Sequence, residues 1–270
     1  MPPRPADPTT SSAATASGIA VVIVLAAGQG TRMRSRKPKV LHELAGKPLI
    51  WHALSCAAAL RPTALVAVLG HGRDDVGGYL TGADDLPTIT TAVQDEQKGT
   101  GHACACALEV TGPLSGTVIV TYGDVPLLQT ATLQALADTH ASSGNAVTVL
   151  TATVDNPTGY GRIIRDEGGN LLGIVEQKDA DEAQRAIREI NSGVYAFDGA
   201  VLTDGLSRLS DANAAGERYL TDVVGIAQGD GRRVGSLHAA DPVETEGVND
   251  RVQLAEMARV LNARLVRRAQ

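Results

Sequence analysis

The sequence predicts an α/β protein: a doubly wound, mixed but mainly parallel sheet with a smaller, partly antiparallel lobe. Three observations carry that expectation. Nearly all-apolar runs recur at 19–25, 64–70 and 116–122, the pattern of strands covered on both faces. Helical patterns alternate with them, a β-α-β-α order. Beyond Asp155 the apolar runs shorten and pair around turn residues, which reads as antiparallel structure.

Each element follows in order. IAVVIVL (19–25) is β-branched and leads straight into a glycine turn. Behind Arg4 and a Ser/Thr/Ala stretch it loosely imitates a secretion signal, but cleavage there would remove the strand that positions the turn. It is therefore read as a buried strand, and residues 1–18, rich in Pro, Ser, Thr and Ala, as a disordered tail. PLIWHALSCAAAL (48–60) reads as a helix stopped by Arg61-Pro62. ALVAVLG (64–70) and GTVIVTY (116–122) are the next buried strands, with a helix start at GTGHA between them. A helix follows with Leu133, Leu136, Ala137 and His140 on one face, then a strand, NAVTVLTATV (145–154). GRIIRDEGGNLLGIVEQK (161–178) carries a Gly-Gly-Asn hairpin signal, and EINSGVYAF (189–197) adds a strand. After Asn249 a closing helix presents Leu254, Met257, Ala258, Leu261 and Leu265 as one stripe, expected to pack on the core. No repeat or strong linker divides the chain. One domain is expected over 19–270, with a first lobe at about 19–154, a second at about 155–245 and the closing helix at about 249–268.

Charge narrows the function. Among 270 residues, 24 Lys+Arg face 30 Asp+Glu, a formal net charge of -6, and aromatics make up 3%. A nucleic-acid partner needs a basic surface or stacking platforms, so neither double- nor single-stranded nucleic acid is expected. No apolar segment reaches membrane-spanning length, and no membrane partner is expected. The three cysteines, Cys56, Cys104 and Cys106, form no CxxC and fit a reduced, cytoplasmic setting. Cys104 and Cys106 sit two apart on one helix, on different faces, and read as ordinary core or surface thiols. The six histidines show no HxH or HExxH zinc spacing.

Against that acidic background Arg32, Arg34, Arg36, Lys37 and Lys39 crowd into eight positions after Ala26-Ala27-Gly28. Gly28 and Gly30 fit the opening of GxGxxG, but the third position is Met33, and GxxxxGK[ST] fails too. Small residues let backbone N–H groups approach a phosphate, and Arg32 and Lys39 can neutralise a triphosphate. Such loops at the carboxyl ends of parallel strands are where α/β sheets bind ligands. Asp124, ending the strand before Val125-Pro126, suits Mg²⁺ or simply organises the turn. Asn249 opens the last helix, as a cap or as a ligand.

LAAGQGTRM followed by KPKVLHELAGKPL resembles the signature of sugar-phosphate nucleotidyltransferases. QKGTGHA, YGDVPLL, PTGYGRI, GIVEQKDA, EINSGVYAF, YLTDVV and a broken VEGVNDRVQL, interrupted at Thr245, narrow the resemblance. They point to the uridylyltransferase domains of bacterial N-acetylglucosamine-1-phosphate uridylyltransferases, over about 19–268. The resemblance implies a Rossmann-like nucleotidyltransferase fold and a Mg²⁺-dependent reaction of UTP with N-acetylglucosamine 1-phosphate, giving UDP-N-acetylglucosamine and pyrophosphate. It implies that Arg32, Lys39 and Asp124 are catalytic, and that Asp124 and Asn249 are the metal ligands. It places Leu25, Ala26, Ala27, Gly28, Gln94, Gly99, Thr100 and Gly123 at the nucleotide, and Gly161, Glu176 and Asn191 at the amino-sugar. Asp250 departs from the Asn more usual beside the metal ligand. Many relatives carry a following hexapeptide-repeat acetyltransferase domain that trimerises, so a homo-oligomer is expected only if the parent protein has one. Alternatives are another sugar-1-phosphate nucleotidyltransferase forming UDP-glucose or dTDP-glucose, a glycosyltransferase, or a non-catalytic sugar-nucleotide sensor. Asp124 stands in Gly-Asp-Val without the DxD that a glycosyltransferase typically uses.

Overall fold

The computed structural model describes residues 18–270, so apart from Gly18 the expected N-terminal tail lies outside the described residues. Strand β1 (Ile19–Ala26) is buried at every position except Ala20. Alternation splits it between two apolar layers: Val22, Val24 and Ala26 face one, Val21, Ile23 and Leu25 the other. Covered on both faces, the strand shows no polar alternation in its sequence. Each fully buried Val or Ile contributes roughly 1.5–3 kcal/mol relative to exposure.

β4 (Ala64–Leu69) and β6 (Thr117–Tyr122) flank β1 in parallel, and β5 (Thr90–Val93) extends the sheet beyond β4. On the other side β10 (Glu189–Asp198) runs antiparallel between β6 and β7 (Val147–Thr153), and β11 (Val234–His238) lies parallel to β7. The order is β11-β7-β10-β6-β1-β4-β5. One layer is filled by α1 (Leu49–Ala58), α2 (Arg73–Thr81) and α4 (Thr130–Ser143). The opposite layer holds α3 (Thr100–Thr111), α6 (Gly199–Ser207) and α7 (Asp222–Gly229). The sheet is thus doubly wound and mainly parallel. The buried face of α4 is Leu133, Leu136, Ala137 and His140, the four residues its periodicity selects.

Two small hairpins stand outside this frame. β2 (Glu43–Leu44) and β3 (Lys47–Pro48) pair just before α1. β8 (Arg162–Arg165) and β9 (Leu171–Val175) form the hairpin that Gly-Gly-Asn signals, and β8 touches the sheet through Ile190 of β10. The short α5 (Glu182–Arg185) follows with a capping box from Asp181 and Gln184. The second-lobe segment also threads the main sheet, because β10 is an interior antiparallel strand of it and β11 an edge.

The closing helix α8 (Arg251–Ala269) departs from its expected stripe. Met257 joins Leu44, Leu49, Leu127 and Val248 in a third apolar cluster, with Leu254, Val260 and Leu261 packed against it. Ala258 is exposed and Leu265 is 45% exposed. Apolar packing of the helix on the body reaches Leu261. Further on, the polar Arg264 spans the edge, donating to the Leu127 carbonyl at 3.0 Å and to Asp241 at 2.9 Å.

Candidate active site at the carboxyl edge of the sheet

The parallel strands β1, β4 and β6 end on one edge. Antiparallel β10 begins there, since Asn191 pairs with Thr151 near the end of β7. The loop after β1 is held closely against its neighbours. The Gly123 amide donates to the Leu25 carbonyl at 2.9 Å and the Gln97 side chain to the Ala27 carbonyl at 2.8 Å. Gly30 has a left-handed φ of 62°, and a Cβ there would lie 2.5 Å from Cβ of Lys39. Only glycine allows that approach. Met33 ends a 3-10 turn and is 1% exposed, so the position that breaks GxGxxG is an apolar plug. Arg251 at the start of α8 donates to the Met33 carbonyl at 3.0 Å and the Arg34 carbonyl at 3.2 Å, tying the loop down from outside.

Of the five clustered cations, Lys39 alone turns inward. Its ammonium donates to Asp124 Oδ2 and, at 3.3 Å, to Asn249 Oδ1. Lys37 pairs with Glu43 at 2.9 Å on the surface. Arg32 lies exposed on the 3-10 turn and lines neither cavity of the site.

Two cavities share this edge. The first, about 250 Å³, is lined by Leu25, Ala26, Ala27, Gly28, Lys39, Gln94, Gly99, Thr100 and Asp124. Gly123 lies just behind it, where a Cβ would come within 3.1 Å of the Ala26 methyl. The second, about 280 Å³, is lined by Asp124, Gly161, Glu176, Asn191 and Asn249. The cavities meet at Thr100, Tyr122, Asp124 and Glu217. Every residue expected at the site except Arg32 and Gly123 therefore borders one continuous cleft.

Local bonds orient these groups. Asn191 donates to the Tyr195 hydroxyl at 2.7 Å and accepts from the Gly193 amide at 2.9 Å. Glu176 accepts from Thr221 at 3.1 Å. Removal from water raises its carboxyl above the usual range, and Asp222, Asp179 and Glu217 push the same way against the Thr221 bond. Gly161 sits between Glu176 and Asn191: a Cβ there would lie 3.4 Å from the carboxylate and 3.5 Å from Cβ of Asn191. The Val248 amide donates to the Asp124 carbonyl at 2.8 Å, which brings Asn249 beside Asp124. Asp250 caps α8 by accepting from the Val252 and Gln253 amides. Asn249 thus does not serve as the cap, and the unusual Asp250 has a structural duty.

Sequence reasoning missed Gln97, Glu217, Tyr160, Tyr219 and Thr221, all on the cavity walls. Gln97 lies in QKGTGHA, Tyr160 in PTGYGRI, and Tyr219 and Thr221 in YLTDVV, so their motifs were visible although their wall positions were not. Glu217 falls outside every quoted motif and gave no signal.

A doubly wound sheet with a paired cleft at its carboxyl edge defines an α/β protein built to hold ligands where its parallel strands end. Among solved structures it is similar to UDP-glucose pyrophosphorylase complexed with UDP-glucose, with a TM-score of 0.73 over 91% of this chain and 99% of that one. Identity is 17%, so that likeness concerns the fold. Residues 22–190 match the MobA-like NTP transferase domain, and the chain belongs to that family. It is 55% identical over 255 residues to Bifunctional protein GlmU of Thermobifida fusca (strain YX), covering 93% of this chain and 52% of the relative. The protein of that name from Cutibacterium acnes is 56% identical over 254 residues, 92% of this chain and 60% of the relative. The one from Kineococcus radiotolerans is 57% identical over 250 residues, 92% and 50%. The chain spans half to three-fifths of the length of these curated relatives.

Proposed function

We propose that the chain transfers a uridylyl group from UTP to N-acetylglucosamine 1-phosphate, releasing pyrophosphate. The observation that carries the reading is the joining of two cavities at Asp124, with the glycine loop, Lys39 and Gln94 on one side and Gly161, Glu176 and Asn191 on the other. A nucleotide and a sugar phosphate laid in them would meet at that aspartate. Similarity to the bifunctional relatives supports it further.

The oxygens near the junction fit Mg²⁺. Asp124 Oδ2 and Asn249 Oδ1 already converge on one cation, the Lys39 ammonium, and Mg²⁺ takes few protein oxygens beside water and phosphate. Asp124 and Asn249 would hold the ion, which when bound neutralises charge on the reacting phosphates. The chain's own groups do the rest. The sugar phosphate is anionic at neutral pH and attacks without a general base, so the residues orient and stabilise rather than move protons. Lys39 lies in the wall beside Asp124 and takes charge on the α-phosphate. Arg32 is exposed at the loop, without a partner among the described residues; its part is to turn inward over the departing pyrophosphate once the nucleotide is bound. The close backbone of Leu25 to Gly28 and of Gly99 admits the nucleotide, and Thr100 and Gly123 shape its floor. Among the described residues no hydrogen bond engages the other Glu176 carboxylate oxygen or the second N–H of Asn191, which leaves both for sugar hydroxyls or the acetamide.

The test is pyrophosphate release with Mg²⁺ over a panel of nucleoside triphosphates and sugar 1-phosphates. UTP with N-acetylglucosamine 1-phosphate should give the highest kcat/KM. A higher value with glucose 1-phosphate, or no release with any pair, would overturn the reading.

A further inference from the structure

Gln94 follows β5 and is only 4% exposed. Its Nε2 donates to the Gly99 carbonyl at 2.9 Å. A carbonyl can only accept, so this bond decides which end of the amide carries the hydrogens. The same Nε2 lies 3.2 Å from Nδ1 of His102. Facing a donor, Nδ1 must accept, which leaves the ring N–H on Nε2. That nitrogen lies 3.9 Å from Sγ of Cys106, one turn along α3. Burial raises the Cys106 pKa and keeps the thiol protonated, a weak acceptor for the ring. The chain of donors runs one way: both N–H groups of Gln94 are used, and its Oε1 takes no hydrogen bond among the described residues.

We propose that His102 is a positioning residue that sets base choice: by accepting the second N–H of Gln94 it leaves Oε1 as the group offered to the base. An acceptor there pairs with the imide N–H of uracil or thymine and meets the bare ring nitrogen of cytosine lone pair to lone pair. The inference rests on the UTP reading above. It adds that specificity lies partly in a histidine that touches the glutamine rather than the base.

The experiment compares kcat/KM for UTP and CTP in the wild type, His102→Leu and His102→Asn, alone and with Gln94→Ala. His102→Leu should lower the UTP-to-CTP ratio about five- to tenfold, the effect of one orienting hydrogen bond. His102→Asn, whose Oδ1 can stand in for Nδ1, should restore it. With Gln94→Ala already present, His102→Leu should leave the ratio unmoved; with Gln94 intact, a mere packing role would lower kcat/KM for both nucleotides equally and leave the ratio at its wild-type value. If His102→Leu folds poorly, His102→Gln, which carries its amide at the other end of the ring's reach, gives the same reading. An unchanged ratio in a wild type that prefers UTP overturns the assignment to His102 alone. A wild type with no preference for UTP overturns the UTP reading and this inference together.

Discussion

At the scale of single residues, chemistry gathers where charge is withdrawn from water. Asp124 and Lys39 are both largely shielded, their side chains 16% and 12% exposed. Removing one electrostatic stabiliser typically costs about 10²–10³ in kcat. Asp124→Ala should therefore lower pyrophosphate release by that factor with little change in folding; near wild-type turnover would remove Asp124 from the reaction. Glu176 allows a pH experiment. Its carboxyl is raised above the ordinary 4.5 by withdrawal from water, so the folded state tolerates its charge poorly. Above the raised pKa that charge costs stability, and the cost vanishes as falling pH protonates it. Glu176→Gln should raise the urea midpoint at neutral pH, lose that advantage in acid and weaken sugar-phosphate binding. A lower midpoint at neutral pH would show that ionised Glu176 supports the fold. Individual residues were legible to the extent that motifs name them. Arg32 was legible as a cation, but its exposure, set by the left-handed turn at Gly30, was not.

At the scale of elements, the start of α8 does two jobs with adjacent residues. Asp250 binds the free amides of Val252 and Gln253, leaving Asn249 to face Asp124 and Lys39. Loss of an N-cap costs about 0.5–2 kcal/mol. Asp250→Ala should cost that much in urea titrations, while Asp250→Asn, itself a good cap, should cost little. Equal losses of activity in both variants, with stability intact, would mean that Asp250 serves the site rather than the helix. The sequence left cap and ligand undecided at Asn249, because both roles favour the same residue type and only backbone geometry separates them. The same geometry explains the misread stripe of α8. Periodicity shows which positions share a face, but not how far the partner surface extends.

At the scale of the whole molecule, a net charge of -6 surrounds a loop after β1 that carries Arg32, Arg34 and Arg36, all exposed. Such local fields speed the arrival of polyanions and are screened over about 10 Å at 0.1 M salt. Raising salt should lower kcat/KM for the nucleotide more than kcat, and Arg34→Gln with Arg36→Gln should flatten that slope. A slope indifferent to both changes would rule out steering. The doubly wound class was legible because buried parallel strands lose their polar alternation. The place of β10 was not, since an apolar strand reads alike in either direction. That place has a consequence for anyone wishing to dissect the protein. A fragment ending near residue 154 would keep β6 and β7 but lose the strand that lies between them, exposing two raw sheet edges of the kind that template aggregation. The two halves of the cleft are sewn by one seam, and neither should be obtainable as a soluble piece without the other.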